Sequence, residues 1–143
     1  MIKQEENLLN RIYRDTKMGE ENIAVVLRAL DDTALRYELI TEMEGYATLN
    51  TRAKKMLYER RSFPEEQSCL AKAMTAVMLR VRTASLSSPE EVAQMMIKGN
   101  RMGIEAASRE LRRCGDRSSP VYDLTRDTIA FEEENIKRLK ANL

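Results

Sequence analysis

The chain has no histidine and no tryptophan, and its 143 residues include only three prolines, five glycines and two cysteines. Without histidine no Ser-His-Asp or Cys-His arrangement can form, which closes the commonest nucleophilic routes. Cys69 and Cys114 lack C-x-x-C spacing and read as two reduced, largely buried thiols. No apolar run approaches the ~18 residues of a membrane span, and the opening MIKQEENLL has no signal-peptide core. These features predict a cytoplasmic protein with no membrane partner. A basic excess is missing too: 24 lysines and arginines face 23 acidic residues, for a net charge of +1. Binding to nucleic acid through counterion displacement needs a basic surface, so nucleic acid is not an expected partner.

What is abundant is the set of good helix formers: Ala, Leu, Met, Glu, Lys and Arg. No strand or hairpin pattern occurs, and the length suits one domain over 1–143. Five helices are predicted, over about 3–30, 33–61, 64–84, 89–113 and 119–142, from apolar residues at alternating three- and four-residue steps. The first carries Leu9, Ile12, Thr16, Gly19, Ile23, Val26 and Leu30 on one stripe. A glycine inside a helix costs about 1 kcal/mol against alanine, so Gly19 there marks close approach of a neighbour. The second stripe holds Leu35, Leu39, Glu42, Tyr46, Leu49, Ala53 and Met56.

All three prolines sit at predicted helix starts, where the missing N–H has no partner to lose. Ser88 with Glu91 has capping-box spacing, and Gly115 is placed to end the fourth helix in a left-handed conformation. That helix has apolar residues on more than one face, including Met95, Met96 and Met102, and is predicted to be the most enclosed. The last stripe is read as Tyr122, Thr125, Ile129, Glu132, Ile136, Leu139 and Leu143. Long helices joined by short turns pack side by side, so the expected fold is all-α: an antiparallel up-down bundle of four long helices plus one additional helix.

Two of these stripes hold a carboxylate where a core residue belongs, Glu42 and Glu132. Folding the helices back at their turns brings both near mid-bundle, with Glu20 and Glu105 at about the same level and Gly19, Gly45, Gly99 and Gly103 close by. An ionised carboxylate buried alone is expensive and must be paired, protonated or bound to a cation. Tyr13, Tyr46 or an arginine could satisfy either acid by hydrogen bonding. A cation site would take Glu42, Glu132, Glu20 and Glu105 as its candidate metal ligands, and an all-oxygen set suits hard divalent ions.

Helix lengths, helix order and the inward glutamates resemble the ferritin-like four-helix bundles, including rubrerythrin-type proteins. The resemblance implies a mid-bundle di-iron centre, while an all-carboxylate site favours magnesium, calcium or manganese over iron. The family's Glu-x-x-His motif is absent: Met43-Glu44-Gly45 comes after Glu42 and Glu133-Glu134-Asn135 after Glu132, so Gly45 and Asn135 stand where histidine would.

Three functions fit these residues. The first is a noncatalytic ferritin-like bundle that needs no cofactor and acts by association, as a homodimer or with a helical partner. The second is a carboxylate-only divalent-metal protein. The third is a ligand-sensing bundle with an internal pocket, which tight packing around Gly19, Gly45 and Gly99 would count against.

Overall fold

The computed structural model describes residues 2–65 and 88–143, and all regular structure among them is helical. Four helices result: α1 (Ile2–Ala29), α2 (Thr33–Glu59), α3 (Pro89–Arg113) and α4 (Pro120–Ala141). The predicted helix over 64–84 lies outside the described residues apart from Pro64 and Glu65, and so does Cys69.

Each boundary has a chemical cause. At the α1–α2 turn the guanidinium of Arg36 donates to the carbonyls of Leu27 and Leu30, which have no partner within the helix. Asp32 caps α2 by accepting from the Leu35 N–H at 2.9 Å. Ser88 and Ser119 cap α3 and α4 in the same way, each with proline in the first turn.

The left-handed stop falls elsewhere than predicted. No described glycine has positive φ, and Cys114 closes α3 with an extended backbone. Arg61, at φ 55°, turns the chain after α2, where the Ser62 N–H reaches Leu57 O and the Arg61 N–H reaches Tyr58 O. This is a Schellman stop with arginine at the position that favours glycine. The two hydrogen bonds and the preceding helix hold a conformation that arginine would otherwise avoid.

The helices pack through recurring pairs. Along α1 and α2, Glu5 meets Arg60, Tyr13 meets Asn50, Gly19 meets Tyr46, and Leu27 meets Arg36. Between α2 and α4, Glu38 meets Arg138, Gly45 meets Phe131, Tyr46 meets Glu132, and Arg52 meets Asp127. α3 joins through Gly103 against Glu132 and Asn100 against Tyr46.

The apolar core has two parts. One gathers Ile23, Val26, Leu30, Leu35, Leu39, Val92, Ala93, Ile97 and Leu139. The other gathers Leu8, Leu9, Ile12, Tyr13, Leu49, Ala53, Leu57, Val121 and Leu124. Each large aliphatic side chain so buried contributes about 1.5–3 kcal/mol relative to exposure.

The first stripe is as predicted, with Gly19 half-buried and the rest buried, but three others need correction. In α2, Leu57 rather than Met56 is the fully enclosed member. α3 is not the most enclosed helix: Met102 is 62% exposed and Gly99 faces open space. In α4 the buried stripe is Val121, Leu124, Thr125, Thr128, Glu132, Asn135 and Leu139. Tyr122, Ile129 and Ile136 flank it half-buried, and Leu143 is exposed.

Candidate functional site

Between the two apolar parts the interior turns polar. Glu42, Tyr46, Asn100, Glu132 and Asn135 are all buried there, with Glu42 at 0% exposure and Glu132 at 4%. They occupy the same inward stripes as the leucines on either side, so the packing that builds the core also encloses them.

Room for this waist comes from three glycines. A Cβ on Gly19 would lie 2.8–2.9 Å from the Tyr46 ring, and one on Gly45 would run into Phe131. On Gly103 it would lie 2.5 Å from Glu132 Oε2. Phe131 in turn meets Tyr46 edge to face, centroids 4.9 Å apart. The predicted close approach at Gly19 is therefore real, and Gly45 and Gly103 follow the same logic; Gly99 does not, having nothing within 4 Å. Of the three positions named for an internal pocket, Gly19 and Gly45 are tightly packed and Gly99 is open.

The hydrogen bonds are unequal. Tyr46 Oη–H donates to Glu132 Oε1, and Asn100 Nδ2 donates to Tyr46 Oη at 3.2 Å. Glu132 is thus satisfied by a tyrosine, one of the partners expected from the sequence. Glu42 is not: neither of its carboxylate oxygens has a hydrogen-bond partner, nor does Asn100 Oδ1 or Asn135 Nδ2. Arg138 is committed at the rim, with Nε on Glu38 Oε1 at 2.6 Å and Nη2 on Asn135 Oδ1 at 2.8 Å.

Electrostatics follow from this. Burial, reinforced by the charges of Glu38 and Glu132, pushes the Glu42 carboxyl up to about 8; Arg138 and the Asn100 amide offset it only partly. Burial raises Glu132 to about 7 even though Tyr46 and Asn100 favour its ionised form. Tyr46 is also pushed up, by burial and the neighbouring Glu132. Two buried carboxyl groups whose charges oppose one another resist being ionised together.

Of the four candidate metal ligands, the fold brings together Glu42 and Glu132. Glu105 is exposed on α3, and Glu20 is half-buried on α1, lining an open depression with Lys17, Glu21 and Lys54. Among the described residues no three of His, Cys, Asp and Glu are grouped to hold a metal ion. The donor set around Glu42 does not fit the metal centre that the ferritin-like resemblance implies. Asn135 and Gly45 stand in the histidine positions, and Asn135 spends its carbonyl oxygen on Arg138. Asn100 was not singled out from the sequence, and Asn135 only as the residue in a histidine position. Their signal is positional: Ala93, Ile97, Asn100, Ile104 and Ala107 keep three-and-four spacing, as do Thr128, Glu132, Asn135 and Leu139.

Searches against protein-family models, curated proteins and solved structures return no match to this chain.

Proposed function

We propose that this is a noncatalytic helical-bundle protein that acts by association, with a second copy of itself or with a helical partner. Its frame on this reading is an antiparallel, up-down, ferritin-like bundle. The pairs along α1 and α2, from Glu5–Arg60 to Leu27–Arg36, run in opposite senses on the two helices, and those between α2 and α4 do the same, which supports the antiparallel frame.

The observation that carries the reading is the placement of aromatic residues. The chain has five tyrosines and two phenylalanines, yet Tyr37, Tyr58 and Phe63 stand outside at 74%, 53% and 78% exposure. Tyr58 and Phe63 form an edge-to-face pair 6.1 Å apart across the Arg61 turn. Paired aromatics at the surface suit a binding face, where they supply large contact area at low entropic cost. The waist acids favour the noncatalytic part of the reading, since at 0% and 4% exposure they are closed to a substrate.

Sedimentation velocity of the full chain over a wide concentration range tests this. A concentration-dependent dimer is expected, weakened at least tenfold in the Tyr58→Ser, Phe63→Ser double variant. Monomer at every concentration would contradict self-association and leave a heterologous partner, to be sought by cross-linking through the same two rings.

A further inference from the structure

We propose that the polar waist is a proton-binding site: in the folded chain Glu42 is held as the neutral acid beside Glu132, so folding takes up a proton at mid-bundle. The inference stands on geometry and does not depend on the association reading.

An ionised carboxylate in an enclosed position needs donors, and neither oxygen of Glu42 is reached by one in a formed hydrogen bond. The Tyr46 hydroxyl gives its hydrogen to Glu132, and Asn100 Nδ2 points at Tyr46 Oη. Arg138 is spoken for by Glu38 and Asn135. What the cluster lacks is enough donors for its spare acceptors: Asn135 Nδ2 is also buried without a partner, one amide nitrogen against three oxygens. Both oxygens of Glu42 and the Oδ1 of Asn100 are buried without partners. A proton on Glu42 removes the charge, turns one of those oxygens into a donor and leaves Asn100 Oδ1 in the same cluster as an acceptor.

The other charges reinforce the choice. On α2 itself Glu38 repels an ionised Glu42, and from α4 Glu132 does the same while Arg138 opposes them. α1 brings Asp15, whose charge disfavours ionisation of Glu132, and α3 contributes only the neutral Asn100. A divalent ion would answer the same charge, but the surrounding donor set does not supply a third acidic ligand among the described residues.

The sign of the linkage is fixed. Glu42 and Glu132 are raised in the fold to about 8 and about 7 from the ordinary value of 4.5. The contribution of the neutral acids to stability is therefore full below about pH 4.5 and is lost as pH rises through 7 to 8.

Equilibrium urea unfolding of the full chain from about pH 5 to about pH 9, at a concentration where it is monomeric, reads this directly. The unfolding constant should climb with pH, by up to about tenfold per unit for each proton linked. Glu42→Gln, neutral and nearly the same shape, should flatten most of that climb and be the more stable form at pH 9. Stability that is level or increasing over this range would overturn the proposal, and so would parallel curves for the two proteins. If Glu42→Gln fails to fold, the wild-type slope decides alone. Manganese(II) added at pH 8 should leave the midpoint unchanged; a stoichiometric rise would assign the waist to a metal instead.

Discussion

At the α1–α2 turn, Leu35 and Leu39 on α2 meet Val92 and Ile97 on α3 and Leu139 on α4. One turn further along the same inward stripes stand Glu42, Asn100 and Asn135, equally enclosed. Identical backbone positions thus hold two kinds of interior. The apolar ends need only volume and shape, and they tolerate any pH. The waist needs every donor matched to an acceptor, and at Glu42, Asn100 and Asn135 the match is incomplete. Buried polar groups of this kind contribute little net stability and can cost several kcal/mol when left unsatisfied. Burial at the ends drives folding, while the waist makes the fold conditional.

That contrast can be probed by substitution. Leu39→Ala in the apolar end should lose the most, about 2–5 kcal/mol, and by the same amount at pH 5 and pH 8 when read by urea unfolding. A pH-dependent loss would break the contrast. Gly103→Ala drives a methyl against Glu132 Oε2 in the waist, and a net loss of about 1–3 kcal/mol is expected even though alanine favours helix. Arg61→Gly, outside both regions, relieves the left-handed strain at φ 55° and should gain about 1 kcal/mol in thermal unfolding, independent of pH. Gly99→Ala has open space around it and should gain about 0.5–1 kcal/mol. A Gly103→Ala variant as well tolerated as Gly99→Ala would mean that the waist is not tightly packed.

The helices were legible in the sequence because their signals are local. Asp32, Ser88, Ser119 and the prolines at helix starts act within a turn, and the α1 stripe from Leu9 to Leu30 is almost wholly apolar. Glu42 and Glu132 were legible as inward residues because they interrupt such stripes. The α4 stripe was harder. Its buried members include Thr125, Thr128 and Asn135, so apolarity pulls the reading toward Tyr122, Ile129 and Ile136 on the flank. Asn100 was hidden for the same reason among the methionines of α3. The partners were not legible at all. That Gly103 makes room for Glu132, or that Tyr46 donates to that acid, depends on contacts between residues far apart in the chain. Glu105 misled because it shares a level with the waist but not a face.

The central claim, that the waist is enclosed and keeps a carboxyl neutral, is tested most directly by following the side-chain carboxyl carbons through a pH titration by NMR. The chain is kept folded throughout, and Glu42→Gln assigns the resonance. The expected result is a Glu42 signal that stays in its protonated position through pH 6 and moves only near pH 8. A signal that titrates near the ordinary value of 4.5 would contradict the account, because it would mean that the charge on Glu42 has found water or a partner.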